Sequence, residues 1–305
     1  MLNLINVFSF VQVVNHEGFT AAARVLHISK STLSLRVQQL ESELGVQLLN
    51  RNTRKLGLTN VGGEFYHQAQ SLLREVEAAE NVGRQRQSEP SGTIRITSSV
   101  TVAQFALRTV LPGFMDKFPK VSIEHHATDI ITDIIGEGYD LAIRGHSGPL
   151  PDSSLIQRPL VKVSWHLFAS ESYLTQKGAP QHPDDLLAHN AIAFGRGTAQ
   201  RWSLRHQDGS AVIVPYTARF VSNNMVALKQ FAEAGLGLVA LPDYVCREDM
   251  AEGRLARVLP LWCAGDSQLT AVAPVQQGWL SSVRELLDYL VDALPHALAS
   301  RRDPI

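Results

Sequence analysis

Short hydroxyl side chains and cations are interleaved between residues 29 and 36, in the sequence SKSTLSLR. A helix that reads the major groove of DNA needs small hydroxyl groups for close approach, cations for phosphate or guanine, and an apolar group for a thymine methyl. At about 100° per residue, these side chains point away from the apolar face of their helix or flank it. We therefore predict DNA contacts from Thr20, Lys30, Ser31, Thr32, Ser34, Leu35 and Arg36, with Arg51 and Arg54 on phosphates or in a narrow minor groove. The alternative for Leu35 is one of the singly exposed leucines found on any protein.

Three short helices and a hairpin are predicted to position these side chains within residues 1–60. A first helix over 4–14 has one apolar stripe, formed by Leu4, Val7, Phe8, Val11 and Val14. Thr20 is predicted to cap a second helix and Ser29 a third, which runs to Leu44 before Gly45. The inward face of the third helix is Leu33, Val37, Leu40 and Leu44. Because a basic, β-prone segment around a glycine follows, the pattern predicts an all-α winged helix-turn-helix.

The predicted DNA-binding domain is basic, whereas the rest of the chain is acidic. The 305 residues carry 28 Lys+Arg and 29 Asp+Glu, a net charge of -1. Residues 1–60 have a net charge of +3 and residues 61–305 a net charge of -4. A basic domain on an acidic body favours contact of that domain with a polyanion, although many solvated faces are equally basic.

A heptad pattern follows the hairpin and predicts a dimerising linker helix and hinge over 61–89. The apolar residues step by four, three, four and three, and they are Phe65, Ala69, Leu72, Val76 and Ala79. We predict that this narrow seam pairs with a second copy of the chain. The alternative is an amphipathic helix that packs on its own domain.

From residue 90 the pattern changes to alternating strands and helices, which predicts an α/β domain with a largely parallel sheet. One of the predicted helices spans 128–138, and the last lies near 281–294. The length allows two lobes with a cleft between them. We place lobe I at 90–161 plus 268–305, and lobe II at 162–267.

Polar residues at helix starts after predicted strands form the candidate ligand site of this domain. Free N–H groups and the helix dipole attract carboxylates there, and an arginine adds a fork for an anion. The candidates for effector binding are Ser98, Ser99, Thr101, Thr128, Arg144, Phe194, Asn223 and Asn224. They predict a small organic effector, anionic in character. The alternative is that the polar groups are ordinary caps and that Arg144 forms an interdomain salt bridge.

Other classes of function find little support in the sequence. Tyr173 and Lys177 have the spacing of short-chain dehydrogenases, but no glycine-rich dinucleotide loop accompanies them. His125 and His126 are adjacent in a predicted strand, so they point to opposite faces and cannot chelate one metal ion. We predict no enzyme activity, cofactor or metal. Two cysteines, no signal peptide and no apolar run of about 20 residues favour the cytoplasm and no membrane partner.

The sequence resembles the LysR-type transcriptional regulators. The matching stretches are FSFV, GFTAAARVL, SKSTLS, LGVQL and RNTR, with a spacing that matches the family without a break from Phe8 to Gly62. Similarity continues through GTIRI, DLAIR and GLGLVALP. Lys30 stands where many members carry Gln, and Leu35 where many carry Arg, which bears on base preference.

The resemblance implies a sequence-specific regulator of transcription whose activity is set by a small molecule bound between two α/β lobes. The C-terminal domain would then resemble a type 2 periplasmic binding protein, with Ser99, Thr128 and Arg144 as the closest matches to effector contacts. Promoter DNA is the implied partner of a homodimer or homotetramer, with RNA polymerase as a further candidate. Two alternatives are a solute-binding protein and an architectural DNA binder. Without an effector, Cys246 or Cys263 would be the candidates for a redox response.

Overall fold

The computed structural model describes residues 2–50, 57–84, 89–150, 155–275 and 281–299. The chain forms two compact units, of which the first holds the residues up to 88 and the second most of the remainder. The elements of the N-terminal unit are α1 (Leu4–Asn15), α2 (Phe19–Val25), α3 (Lys30–Leu44), β1 (Leu49–Asn50), β2 (Gly57–Leu58) and α4 (Asn60–Arg84). β1 and β2 pair antiparallel, so the order is three helices, a hairpin and a long helix.

Caps fix the start and end of α3. The Ser29 hydroxyl accepts a hydrogen bond from the Thr32 amide at 3.0 Å, which satisfies one of the free donors of the first turn. Gly45 ends the helix at a φ of 71°, a left-handed conformation that glycine adopts without strain. The predicted cap at Thr20 is wrong, because α2 already begins at Phe19.

The core of the N-terminal unit includes two residues of the predicted dimer seam. Ala69 of α4 is 2% exposed and belongs to this core, and Phe65 packs against it with its ring 5.6 Å from that of Phe10. These two residues therefore pack on their own domain, as in the alternative, and not in the predicted dimer seam. Leu72 remains 40% exposed and Val76 is half-buried, whereas the side chain of Ala79 lies outside the described part of the chain. In α1, Leu4 and Phe8 of the predicted stripe are exposed, because Phe10 and Val13 point inward instead.

The C-terminal unit is built on an eleven-stranded sheet. Its strands are β3 (Gly92–Ser98), β4 (Val121–Ala127), β5 (Leu141–His146), β6 (Leu155–Ala169), β7 (Ala191–Phe194), β8 (Ala199–His206), β9 (Ala211–Ser222), β10 (Leu238–Pro242), β11 (Ala256–Val258), β12 (Trp262–Cys263) and β13 (Gly265–Pro274). Its helices are α5 (Val100–Val102), a π-helical segment (Ala103–Leu107), α6 (Arg108–Lys117), α7 (Glu171–Lys177), a 3-10 helix (Pro183–Ala188), α8 (Met225–Glu233), α9 (Asp243–Ala251) and α10 (Ser281–Leu298).

The sheet is mixed rather than largely parallel. β3, β4 and β5 are parallel neighbours in lobe I, as are β7, β9 and β10 in lobe II. The long strands β6 and β13 join the lobes and pair antiparallel with each other and with both groups. The predicted helix over 128–138 is also wrong. That segment consists of turns and bends, in which Ile130 and Ile131 are 76% and 98% exposed rather than buried on a helix face.

The strand register brings the carboxyl ends of the two groups of strands toward each other. Along β13, His146 at the end of β5 is level with Lys162 of β6. Pro242 at the end of β10 pairs with Trp165 of β6. Because β10 is antiparallel to β6, it reaches this level from the side opposite to β5. The two groups of strands therefore end at levels three residues apart along β6, which is about 10 Å at about 3.3 Å per residue. Within lobe I, two residues before Lys162, β6 carries an extra residue, Leu160, where the pairing with β13 shifts between Leu269 and Thr270.

Candidate functional site

The outward face of α3 carries the residues predicted to contact DNA. Lys30, Ser31, Thr32 and Leu35 are exposed, and Leu35 is 54% exposed although it is apolar. Ser34 and Arg36 are half-buried at the sides of this face, and Thr20 is exposed on α2. Arg51 and Arg54 lie outside the described residues. The structure thus presents hydroxyls, cations and one apolar group on the exposed and flanking surface of one helix.

Glu41 positions the hairpin, although it was not among the predicted residues. It lies on the inner side of α3, where it is 7% exposed. Its Oε1 accepts hydrogen bonds from the Leu48 amide at 2.9 Å and the Leu49 amide at 3.1 Å. These bonds hold the first strand of the hairpin against the helix, since a buried carboxylate needs such partners. A glutamate directly beside the inward-facing Leu40 was the signal that could have identified it.

Thr59 and Gly62 connect the hairpin to α4. The Thr59 hydroxyl donates to the Gln47 carbonyl at 2.8 Å and accepts from the Gly62 amide at 2.9 Å. Gly62 packs directly on the backbone of Leu48, whose carbonyl oxygen would be 2.0 Å from a Cβ at position 62. A residue with a side chain therefore cannot occupy this position without moving the hairpin.

The lobe I side of the candidate effector site lies where β3 and β4 end. The Ser99 hydroxyl caps α5 by accepting from the Val102 amide at 3.3 Å. The Val100 amide donates to Asp129 Oδ1 at 3.1 Å, so a carboxylate of the chain itself already lies at this helix start. Thr128 is half-buried, and its hydroxyl accepts from the Ile130 amide at 3.2 Å.

Arg144 holds the segment that follows β4. Its guanidinium donates to the Thr128 carbonyl and, at 3.2 Å each, to the hydroxyls of Thr97 and Thr132. Burial lowers the pKa of Arg144 below its ordinary value, and the nearby Asp129 carboxylate opposes that change. The fork of Arg144 is therefore engaged within lobe I, and the alternative of an interdomain salt bridge is not what the structure shows.

Two of the predicted effector residues are not available to a ligand. Ser98 is fully buried, with its hydroxyl 2.9 Å from His125 Nε2, and Thr101 is 6% exposed. The prediction that these two residues contact an effector is wrong, because both side chains belong to the packed interior of lobe I. Burial also lowers the pKa of His125, and the neighbouring His126 adds to that effect.

The lobe II side combines an exposed aromatic ring with a helix start. Phe194 at the end of β7 is 41% exposed and makes an edge contact with Trp165, with ring centroids 6.0 Å apart. Asn224 caps α8 by accepting from the Ala227 amide at 3.0 Å, and Asn223 beside it is exposed. Trp165, which was not among the predicted residues, lies on β6 at the level where β10 ends.

Other features of the described residues give no second site of this kind. A cavity of about 380 Å³ in lobe II is lined mainly by apolar residues near Leu259 and Trp262, away from the predicted effector residues. Burial raises the pKa values of Cys246 and Cys263, which favours the protonated form of both thiols. In the described part of the chain no cluster of metal-binding side chains occurs, and no helix is long and apolar enough to cross a membrane.

Comparison with known proteins decides which family this arrangement represents. The family model "Bacterial regulatory helix-turn-helix protein, lysR family" matches residues 6–63, and the model "LysR substrate binding domain" matches residues 87–295. The chain belongs to the LysR family. It is therefore a LysR-type transcriptional regulator, with an N-terminal DNA-binding domain and a C-terminal domain that binds small-molecule effectors.

Individual relatives agree with this assignment over the full length. The chain is 34% identical over 294 residues to the "HTH-type transcriptional regulator PtxR" of Pseudomonas aeruginosa, with 96% of this chain and 93% of the relative covered. It is similar to the structure of CrgA, a LysR-type regulator of Neisseria meningitidis, with 28% identity, a TM-score of 0.59 and coverages of 96% and 99%. The Vibrio cholerae virulence activator AphB gives 27% identity, a TM-score of 0.57 and coverages of 95% and 99%. These relatives are regulators rather than enzymes.

Proposed function

We propose that this LysR-type regulator responds to a small organic anion bound where the strands of lobes I and II end opposite each other. The observation that carries the proposal is the strand register, which brings His146 level with Lys162 and Pro242 level with Trp165. Helices begin at both of these sheet edges, after Ser99 and after Asn224. Two helix starts that face one gap favour an anion between them.

Asp129 supports the anionic character of the effector. Its carboxylate accepts the Val100 amide, so the start of α5 is already bound to a carboxylate supplied by the chain. An incoming anion would take over this amide and displace Asp129, and the Thr128 hydroxyl lies next to the displaced group. Arg144 would contribute its positive charge from within lobe I, even though its donors are used by the chain.

An aromatic or aliphatic part of the effector is supported by Phe194. Its exposed ring and the adjacent Trp165 form an apolar surface at the lobe II edge. Ligand sites commonly combine such surfaces with a few polar groups that fix orientation. The proposed effector is therefore a carboxylate with an apolar body, with Ser99, Thr128, Asn223 and Asn224 near its polar end.

For DNA, we propose that the exposed hydroxyls and Leu35 of α3 read base edges. Lys30, Arg36, Arg51 and Arg54 would contact the phosphate backbone. We propose assembly through the exposed part of α4 around Leu72 and Val76, as a homodimer or homotetramer, with RNA polymerase as a further partner at the promoter. Because the DNA partner is chromosomal, we propose the cytoplasm as its location.

A thermal-shift screen of the full-length protein tests the effector proposal. Small carboxylates should raise Tm, and the corresponding amides should not, because only the anion benefits from the helix starts. At 100 times Kd, binding to the folded state adds about 2.7 kcal/mol to the free energy of unfolding. Thr128→Val and Phe194→Ala should reduce the shift, whereas Thr175→Val, an exposed control on α7, should keep it. Equal shifts with carboxylates and amides would contradict the anionic character, and no shift with any compound would contradict the site.

A further inference from the structure

Among the described residues, two side-chain contacts connect the helices of lobe I with those of lobe II, apart from the shared sheet. Arg108 at the start of α6 forms a salt bridge with Glu248 of α9. The Nζ atom of Lys229 in α8 lies 5.0 Å from the ring centroid of Phe105, in the π-helical segment. α6 and the π-helical segment follow β3 in lobe I, whereas α8 and α9 flank β10 in lobe II. The contacts therefore bridge elements that could move with respect to each other.

Phe105 lies between cations of the two lobes. The guanidinium carbon of Arg108 is 6.0 Å from the ring centroid, on the same helical run, and Lys229 approaches from lobe II. A π-helical segment adds a residue to a turn and rotates the side chains around it, and such segments are frequent at functional sites. This segment, Ala103–Leu107, carries the ring that meets Lys229.

Lys229 is held firmly on its own lobe. Its ammonium forms a salt bridge of 2.6 Å with the buried Asp249 and lies 3.7 Å from Glu233. Arg254 also pairs with Asp249, so the carboxylate has a cation on two sides. Since Lys229 is only 13% exposed, its position is fixed by these partners and not by solvent. A shift of lobe II would therefore move the ammonium with it and change its distance from Phe105.

The contacts lie close to the proposed effector site along the same helices. Phe105 is six residues from Ser99, about 9 Å along the helical run, and Lys229 is five residues from Asn224, about 8 Å along α8. A ligand that moves the two helix starts relative to each other would move both helices, and with them the contacts further along.

We propose that Phe105 and Arg108 of lobe I and Lys229 and Glu248 of lobe II form an interlobe clasp, which holds the lobes in the arrangement of this structure until an effector binds. The role as a gate for the effector rests on the proposed function, but the clasp itself does not. Exposed ion pairs and cation–π contacts are individually weak, so a ligand can overcome them. Loss of these contacts should change the ratio between the lobe arrangement of this structure and a second, released arrangement about fivefold, equivalent to about 1 kcal/mol.

Charge reversal tests the clasp without any effector. Arg108→Glu and Glu248→Arg should each shift the lobes, and the double variant should restore the parent arrangement because it rebuilds the pair with opposite polarity. Phe105→Leu keeps an apolar side chain but removes the ring face, so it should shift the lobes even if a charge-reversed chain fails to fold. The matched control is the pair Arg158–Asp288, which has similar exposure and a distance of 2.8 Å.

Pulsed electron spin resonance measures the distance between the lobes directly. Spin labels are placed by Ser122→Cys in lobe I and Lys177→Cys in lobe II, both exposed, in full-length protein that carries Cys263→Ser. Excess unlabelled parent protein ensures that each assembly holds one labelled chain. The clasp variants should broaden or shift the distance distribution, and reversal of the control pair should leave it unchanged.

The proposal is overturned if the single clasp variants give the parent distribution, if the double variant fails to restore it, or if the control pair shifts it equally. These outcomes are independent of the effector proposal, since no ligand is present. A normal clasp with no response to any carboxylate would contradict only the proposed effector site.

Discussion

Replacement of Gly62 by alanine should destabilise the N-terminal unit through a backbone clash. A Cβ at this position would lie 2.0 Å from the Leu48 carbonyl oxygen and 2.9 Å from the Leu48 carbonyl carbon. Atoms of this kind need roughly 3.0 Å or more, so α4 or the backbone at Leu48 must move by about 1 Å. That movement strains the hydrogen bonds of Thr59 with the Gly62 amide and the Gln47 carbonyl. Overpacking of this kind costs about 1–3 kcal/mol.

Gly63 provides a control within the same helical turn. A Cβ at Gly63 has no atom within 4 Å, and alanine in place of glycine favours a helix by up to about 1 kcal/mol. For a unit of this size, 1 kcal/mol shifts Tm by about 4–8 °C. The difference between Gly62→Ala and Gly63→Ala, measured by circular dichroism of full-length protein in heat and urea, isolates the clash. Equal stability of the two variants would refute the close packing of α4 on the hairpin.

Three further predictions concern DNA, assembly and pH. Leu35→Ala should change base preference by about 1–3 kcal/mol at the affected base pair, whereas the control Val25→Ala should not. Binding is measured on selected and on random DNA at equal salt, and equal losses of affinity on both DNAs would exclude a base contact. Leu72→Glu buries a charge in the proposed dimer contact, so sedimentation should show smaller species, and unchanged assembly would contradict that contact. Burial lowers the pKa of His166 in the folded protein. As the pH drops below about 6.5, this histidine is therefore protonated in the unfolded chain before it is protonated in the folded one, and the free energy of unfolding should fall. Urea titrations at pH 7.5 and 5.5 should show a smaller loss of stability at the lower pH in His166→Gln than in the exposed control His296→Gln. The same pH dependence in both variants would contradict the role of His166.

The N-terminal elements could be predicted because local signals and packing agree there. Ser29 caps α3, Gly45 ends it, and Leu33, Val37 and Leu40 are buried, as the sequence predicts. Heptad spacing alone could not assign Ala69, because an apolar position on a long helix can face its own domain as easily as a partner. That choice depends on the position of α1, which is a tertiary property.

The C-terminal domain shows a similar limit. The spacing of apolar residues over 128–138 matches a helix, yet Arg144 binds the Thr128 carbonyl and the Thr132 hydroxyl and holds the start of the segment in another conformation. The roles of Ser98 and Asp129 likewise depend on strand pairing. Ser98 is buried beside His125, while Asp129 reaches the Val100 amide, and neither position follows from its distance along the chain.

The extra residue in β6 forms a β-bulge within lobe I, just before this strand crosses to lobe II. Leu269 and Thr270 are adjacent in β13, but their partners in β6 are separated by one extra residue, Leu160. The side chain of Leu160 is 6% exposed and is buried in the interior. A bulge bends its strand and increases the local right-handed twist, so it sets the direction in which β6 leaves lobe I. The resting angle between the lobes should therefore depend on this one residue. Deletion of Leu160 should remove the bulge and change the angle from which every effector response begins.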